Sequence, residues 1–460
     1  MKTKKTINTI YPAFALFAFA CFGFSMQAHA TCQDACLGSD NTVQGDDALI
    51  SLTSGAYNTA IGFQALQFNN TGGSNTAIGS AALQSNTTGT YNTANGFFAL
   101  TNNTTGSDNT ATGAAALSVN TTGYCNTATG FQALQFNNSG AFNTANGYNA
   151  LQNNNGSNNT ATGVSALINN TTGSSNTANG VNALFFNKTG AFNTATGKGA
   201  LYKNNSGQNN TANGYQALNK NTGSSNTADG ASALFANTTG TGNTASGYSA
   251  LSNNMTGSNN IVLGIFAGFN MTTGSNNIVI YDFGVAGESN TIRIGTEGAQ
   301  TNTYIAGISG VTVAGGVGVI VDSNGHLGTS TSSARYKENI QPMDKASEAI
   351  LSLEPVSFRY KKELDPKGIP QFGLVAEQVD KVDPDLVARD DQNKPYTVRY
   401  DAVNAMLLQE FLKEHRIVQE QGETLAGQQQ QIEALTAGLQ KASAQLELSK
   451  PAPQLAENTQ

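Results

Sequence analysis

Ser332 stands five residues before Lys337, with Arg335 between them, where a nearly uncharged repeat ends and an ordinary charged sequence begins. A serine hydroxyl is a poor nucleophile until a base takes its proton, and a lysine amine can serve when its pKa is lowered towards neutrality. Burial and a neighbouring positive charge both lower a lysine pKa, and Arg335 could supply that charge. The spacing fits a Ser–Lys pair that cuts a peptide bond. Taken alone, it favours a surface loop of small polar residues, because Ser330 and Ser333 flank Ser332.

The residues after the pair predict a small α+β domain that would hold it in place. Apolar periodicity and β-branched runs separate its elements. In chain order we expect a helix around Lys345–Leu353, a strand at Val356–Tyr360, a strand at Gln371–Val375 leading into a helix at Ala376–Val382, a strand at Tyr396–Tyr400, and a long helix from about Asp401.

Three motifs of this domain resemble a known family. They are Ser-Ala-Arg-Tyr-Lys-Glu-Asn-Ile at 333–340, Phe-Gly-Leu-Val-Ala-Glu-Gln-Val at 372–379 and Val-Arg-Tyr-Asp at 398–401. In order and spacing, across about Ser332–Leu412, they are similar to the intramolecular chaperone domain (the S74 peptidase family) that ends many phage tail spikes and tail fibres. The resemblance implies a domain that trimerises a β-rich fibre and then cuts itself off.

The resemblance also implies the roles of individual residues. Ser332 would be the nucleophile, Lys337 the general base, and Thr331–Ser332 the scissile bond. Cleavage would depend on trimerisation, because the packing of three chains would bury the lysine. One position departs from the family pattern: Ser333 stands where an Asp usually follows the serine, which leaves open whether this chain cuts itself.

A seventeen-residue repeat, close to Asn-Thr-Ala-x-Gly-x-x-Ala-Leu-x-x-Asn-x-Thr-Gly-x-x, starts at Asn41 and continues to Asn277. A fixed period indicates stacked units that bury their apolar positions against their neighbours. One Leu and a few Ala per unit, with abundant Gly, Asn and Thr, favour a β-solenoid or β-roll over a helical repeat. Asn at one slot of every coil predicts hydrogen-bonded ladders, and fifteen coils about 4.8 Å apart predict a rod of about 70 Å.

The repeats resemble the Asn-Thr-Ala-x-Gly repeats of tail-fibre proteins and, more loosely, the heads of trimeric autotransporter adhesins. An alternative is an ice-binding or matrix solenoid, because Thr59, Thr76, Thr93 and Thr110 would form a row on one face. We favour the simpler explanation that these threonines are present because threonine readily forms β-strands. A fibre-borne glycan hydrolase would need two carboxylates facing one groove, and no such pair recurs in the repeat.

The two ends of the chain carry further signals. Lys2, Lys4 and Lys5, an apolar run at 13–24 and Ala28-His29-Ala30 indicate a cleavable signal peptide over 1–30, hence a secreted or cell-surface protein. Cys32 and Cys36 could form a disulfide in an oxidising compartment, and Cys125 is expected to be a small buried apolar residue. At the other end an apolar residue recurs every seven positions, which predicts a coiled coil: Phe411, Val418, Leu425, Ile432, Leu439 and Leu446.

Together these features predict a mainly β repeat that assembles as a trimer, then a small α+β chaperone domain and a C-terminal coiled-coil helix. We predict a signal peptide at 1–30, a shaft at 41–290, a β-rich neck at 291–331, the chaperone domain at 332–418, a coiled coil at 419–450 and a disordered tail at 451–460. The expected partners are the chain itself, as a homotrimer, and a surface glycan or other cell-surface ligand. A net charge of -7 argues against nucleic acid. We expect no cofactor, no metal, no membrane span after signal removal, and no catalysis besides self-cleavage. The alternative function is a non-cleaving fibre or an ice-binding or matrix solenoid with a trimerising cap.

Overall fold

A computed structural model describes residues 35–37, 39–308, 310–322, 325–390 and 392–449. The chain divides into two compact units between Tyr304 and Ile305. The predicted signal peptide, the side chains of the Cys32–Cys36 pair and the predicted tail lie outside the described residues.

The first unit is a β-solenoid of about fifteen turns, which confirms the predicted fold class. A short strand β1 pairs antiparallel with β2, and from β2 onward each strand pairs in parallel with the strand one coil later. The strands are in register, so that Thr59 pairs with Thr76 and Ala60 with Ala77. Their bounds are β1 Ala35–Leu37, β2 Asn41–Gln44, β3 Thr59–Ile61, β4 Thr76–Ile78, β5 Thr93–Asn95, β6 Thr110–Thr112, β7 Thr127–Thr129, β8 Thr144–Asn146, β9 Thr160–Thr162, β10 Thr177–Asn179, β11 Thr194–Thr196, β12 Thr211–Asn213, β13 Thr227–Asp229, β14 Thr244–Ser246, β15 Ile261–Leu263, β16 Ile278–Ile280 and β17 Ile292–Ile294.

The core of the solenoid is narrow and repeats in every coil. In one coil it consists of Ala60 from the strand and Ala65 and Leu66 from the following turn, all fully buried. The small side chains allow the walls of the coil to approach closely. Each unit therefore buries its apolar surface mainly against the coils above and below it, as expected for a stacked repeat.

Two ladders of buried asparagines run along the solenoid, and the first is the one that the repeat predicted. Asn126 illustrates it: its Nδ2 donates to Asn109 Oδ1 at 3.1 Å and to the Gly140 carbonyl at 2.9 Å. The second ladder uses the asparagine three residues after the core leucine, as in Asn103 Nδ2 donating to Asn86 Oδ1 at 2.7 Å. These amides satisfy each other inside the coil, where water is excluded.

The turn after each strand adopts left-handed backbone conformations that the sequence does not suggest. Leu66 has φ +52° and Gln64 φ +57°, and the equivalent leucines from Leu49 to Leu251 share this value within a few degrees. A left-handed conformation costs a non-glycine residue roughly 1–2 kcal/mol. Burial of a leucine side chain contributes about 1.5–3 kcal/mol, so the inward position of the side chain offsets the cost.

The solenoid ends at β17, four residues beyond the shaft boundary expected at residue 290. This strand places Arg293 at the position that alanine or valine occupies in the other coils. The arginine donates to both carboxylate oxygens of Glu288, at 2.7 and 2.8 Å, and so closes the end of the core with a paired charge. In the region of the predicted neck, the described residues beyond β17 form one short antiparallel pair, β18 Ile320–Val321 with β19 Leu327–Gly328.

The second unit contains the small strand-and-helix region and the long helix that the sequence predicts. Residues Asp344–Ser352 form a helix of the 3-10 type at the predicted first helix. A shorter 3-10 turn, Pro384–Leu386, and the strand β22 were not predicted. The remaining elements are a 3-10 turn at Ala334–Tyr336, β20 Val356–Phe358, β21 Gln371–Gly373, α1 Ala376–Val382, β22 Val387–Arg389, β23 Pro395–Val398 and α2 Tyr400–Leu448.

One prediction about the shaft is wrong. Cys125 is exposed, with φ +53°, rather than buried. Cys125 lies directly before the ladder asparagine of its coil. The side chains at this position also point outwards in other coils, as Tyr57 and Tyr91 do. The row of threonines, by contrast, forms as expected, and Thr93 and Thr110 are exposed on the strand face.

Candidate self-cleavage site

The predicted pair lies on an exposed stretch at the start of the chaperone region. Ser332 and Lys337 are both solvent-exposed and flank the 3-10 turn at Ala334–Tyr336. The backbone N–H of Tyr336 donates to the Ser333 carbonyl at 3.0 Å, and that of Lys337 to the Ala334 carbonyl at 3.1 Å. Ser333 and Lys337, on either side of the turn, have extended backbone conformations. Within the described part of the chain, no hydrogen bond joins their side chains.

Arg335, the predicted supporting charge, contacts an aromatic ring. Its guanidinium lies 4.8 Å from the centre of the Tyr336 ring. Such a cation–π contact at an exposed site is worth about 0.5–1 kcal/mol, which orients the arginine only weakly. Thr331, Ser333 and Arg335 are all exposed, so the whole candidate site is accessible in the single chain.

The second and third motifs of the resemblance meet in space. Tyr400, at the start of α2, accepts a hydrogen bond through its hydroxyl from the backbone N–H of Leu374 at 3.1 Å. The tyrosine approaches so closely that a Cβ at Gly373 would lie 2.9 Å from its hydroxyl. Beside this contact, a small apolar core holds α1 against the β22–β23 pair and the start of α2: Val379, Leu386, Val387 and Val398, with Leu353, Leu374, Ala376, Ala402, Val403 and Met406 packed on it.

A polar cluster that the sequence analysis missed joins the first helix to α2. Ser347 is fully buried and donates through its hydroxyl to Glu410. The Lys413 Nζ donates to Glu410 at 2.7 Å, to the Asp344 carbonyl at 2.9 Å and to the Ser347 hydroxyl at 3.1 Å. The hydrogen bonds from Lys413 and Ser347 lower the pKa of Glu410 below its ordinary value. More than sixty residues separate the partners, and no local pattern marks such a pairing.

The long helix α2 carries an apolar seam with no partner in the single chain. Its heptad residues from Phe411 to Leu446 are 54–74% exposed. The helix continues without a break through Gly422, Gly427 and Gly438, although glycine weakens an isolated helix. An exposed seam of this length is typical of a helix that pairs with other helices.

The described residues provide neither a membrane-spanning helix nor a cluster of metal ligands. None of their helices combines the length and the apolar character that crossing a membrane requires. The same residues contain no group of three or more His, Cys, Asp or Glu side chains placed to hold a metal ion.

Comparison with known proteins identifies the segment that contains the candidate pair. The family model described as chaperone of endosialidase, Peptidase_S74, matches residues 332–388. The match begins at Ser332, includes Lys337 and ends within β22. It confirms the resemblance over the first two motifs, at 333–340 and 372–379, and ends before the third motif at 398–401. No curated protein and no solved structure matches the chain.

Proposed function

We propose that this chain is a secreted homotrimeric fibre whose C-terminal chaperone region drives trimerisation and then cuts the chain next to Ser332. One observation carries the proposal: the endosialidase-chaperone match starts at Ser332, and a β-solenoid of about fifteen turns precedes it along the chain. A solenoid followed by this chaperone is the arrangement of a tail-fibre or tail-spike type protein.

The proposed chemistry is one cut per chain. The Lys337 amine takes the proton of the Ser332 hydroxyl, and the hydroxyl oxygen attacks the carbonyl carbon of Thr331. The bond from that carbon to the Ser332 nitrogen breaks, and the proton passes to the departing nitrogen. Water then hydrolyses the ester between Thr331 and Ser332. The products are a Thr331 carboxylate and a free amino group on Ser332.

Exposure of both side chains in the single chain supports a dependence on assembly. A lysine amine can accept the serine proton only in its neutral form. Packing of three chains around the site would remove water from the lysine and favour its neutral form. Cleavage after assembly would also separate the shaft covalently from its folding helper. The shaft could then no longer unfold by the route along which it folded, and its stability would be kinetic.

The polar, nearly uncharged shaft is suited to attachment or to spacing a ligand-binding end away from a surface. We propose adhesion to a surface glycan or another cell-surface ligand, with export through the signal peptide at 1–30. No acidic pair recurs along the shaft sequence, so binding rather than hydrolysis of a glycan is the proposed role.

The test compares the wild-type chain with Ser332→Ala and Lys337→Ala on a denaturing gel, with the amino-terminal sequence of any fragment. We expect wild type to split into two fragments, the smaller beginning at Ser332, and both variants to stay whole while still forming trimers. Ser330→Ala and Ser333→Ala are the matched controls, because these serines are neighbours without the predicted role. Ser333→Asp restores the usual family residue and should speed the cut.

Each outcome decides a different part of the proposal. A wild-type chain that stays whole as a stable trimer would show that the region is a trimerising cap alone. Loss of cleavage in Ser333→Ala but not in Ser332→Ala would show that Ser333 is the nucleophile. A wild-type chain that stays monomeric would contradict the fibre assembly itself.

A further inference from the structure

One face of the solenoid combines a near absence of charge with a cluster of exposed aliphatic residues at one end. From β3 onward the first and third residues of each strand point outwards and form this strand face, and Thr42 and Gln44 occupy the equivalent positions in β2. The first position carries thirteen consecutive threonines and then Ile261, Ile278 and Ile292. Among all first and third positions from β2 to β17, Asp229 is the single charged residue.

At its C-terminal end the strand face becomes strongly apolar. Strands β15, β16 and β17 place six aliphatic residues side by side: Ile261, Leu263, Ile278, Ile280, Ile292 and Ile294. Ile261 and Leu263 are 52% and 51% exposed, and Ile292 and Ile294 reach 66% and 71%. A contiguous aliphatic patch on a flat sheet marks an interaction surface or an aggregation hazard.

A second exposed apolar column provides an internal comparison. It follows the glycine after each strand and includes Phe97, Phe131 and Tyr148. This column is interrupted by Ser80, Ala114, Lys198 and Ala231. The comparison column contains Lys198 in its middle, and the strand face contains Asp229, so the two differ mainly in the aliphatic cluster at the end of the strand face.

We infer that the strand face is the seam along which copies of this chain pack together in the shaft, anchored by the six aliphatic residues of the last three coils. The inference rests on the proposed homotrimer and deepens it by naming the surface. Copies related by rotation about one axis place coils of equal number at the same height, so the neutral strand faces would meet coil by coil.

The available area fits such a seam. Fifteen coils spaced about 4.8 Å apart make a face about 70 Å long, and a width of about 10 Å gives roughly 700 Å² per chain. A stable interface of standard size buries about 800 Å² on each partner. The aliphatic end covers only three coils and is too small alone. A seam of that size in the shaft needs the threonine-lined part as well, so the seam that we infer includes both.

Crosslinking tests the seam directly in the full chain. Cys125→Ser provides the background, because serine occupies this slot in other coils, at Ser74 and Ser175. Thr194→Cys then adds a thiol to the strand face, and Lys198→Cys adds one to the comparison column of the same coil. With a short bismaleimide, we expect the Thr194→Cys chains to become joined to each other and the Lys198→Cys chains to resemble the background.

A second measurement uses substitutions that the repeat itself tolerates. Ile261→Thr, Ile278→Thr and Ile292→Thr together restore the residue found at that position in the thirteen earlier strands, so the coils should still fold. Phe131→Ser with Tyr148→Ala is the matched control in the comparison column, where Ser80 and Ala114 occur naturally. By light scattering after gel filtration, the isoleucine variant should dissociate at a concentration at least tenfold higher than wild type or the control.

The results separate the seam from the assembly. A monomeric wild type refutes both the homotrimer and the seam. A trimeric wild type with no crosslink at Thr194→Cys, and with unchanged dissociation of the isoleucine variant, refutes the seam while the homotrimer stands. In that case the threonine column faces water, and thermal hysteresis of the protein would test the ice-binding alternative.

Discussion

Replacing Asn126 with alanine should open the middle of the shaft, because this side chain serves four hydrogen bonds in a coil that water does not reach. Its Nδ2 donates to Asn109 and Gly140, and its Oδ1 accepts from the backbone N–H and the Nδ2 of Asn143, both at 3.0 Å. Asn109 Oδ1 keeps the bond from the backbone N–H of residue 126, and the Gly140 carbonyl keeps the bond from Asn137.

The magnitude follows from the groups that are left without a partner. The substitution orphans two donors of Asn143, its backbone N–H and one of its two Nδ2 hydrogens, since the other still reaches the Gly156 carbonyl. An unsatisfied buried polar group costs about 1–3 kcal/mol, so the expected loss is about 2–6 kcal/mol. Because a stacked repeat opens locally, the loss should be concentrated in the coils around β7 and β8.

Hydrogen exchange followed by mass spectrometry measures this opening coil by coil. At about 1.4 kcal/mol per factor of ten, protection of the β7 and β8 amides should fall by a factor of roughly 30 to 10⁴. Asn102→Ala is the matched control, because Asn102 is exposed, occupies a variable slot and should change stability by less than about 0.5 kcal/mol. Equal exchange in the two variants would refute the view that the ladder stabilises the shaft.

Three further predictions concern backbone packing, the end cap and the chaperone region. Gly113→Ala should unfold its coil locally, because a Cβ there would lie 2.6 Å from the carbonyl oxygen of the next coil's glycine, at φ +131°; protease resistance equal to wild type would contradict this. The hydrogen bonds from Arg293 lower the pKa of Glu288. At pH values above the ordinary glutamate pKa the pair therefore stabilises the last coil fully. This stabilisation is lost as the pH falls through the lowered pKa of Glu288. Glu288→Gln should flatten that acid dependence of hydrogen exchange in β17, and an unchanged profile would exclude the pair as its cause. Tyr400→Phe removes the acceptor of the Leu374 N–H and should lower the unfolding temperature of the chaperone region by a few degrees, with a cost of about 1 kcal/mol or more; a shift below one degree would contradict a role for the hydroxyl.

Much of the architecture could be predicted from the sequence, because the period and composition of the repeat restrict how its units can pack. A period of seventeen residues with one leucine and several small residues per unit admits few ways to bury apolar surface, and stacked β-coils are among them. The asparagine ladder followed from the same periodicity, since identical side chains at one slot must meet in neighbouring coils. The start of α1 at Ala376 and of α2 near Asp401 agreed with local patterns of apolar residues.

Other features were decided only by the tertiary structure. The left-handed conformation is unfavourable for leucine, yet Leu66 and its equivalents adopt it. Burial of the inward-pointing side chain in the stacked core offsets the cost. The outward direction of Cys125 follows from the same turn geometry, which no single repeat reveals.

The sequence by itself determined the stacking period, because that period depends on identical neighbours one repeat away. It also predicted the order of the regions and the candidate self-cleavage residues from motifs along the chain. The tertiary structure alone decided the contacts between unlike residues, whether they lie far apart in the chain or only a few positions from each other. Ser347 meets Glu410 and Lys413, and Arg293 closes the last coil on Glu288. Such pairs leave no periodic trace, because their energy depends on burial and on direction, which exist only once the chain has folded.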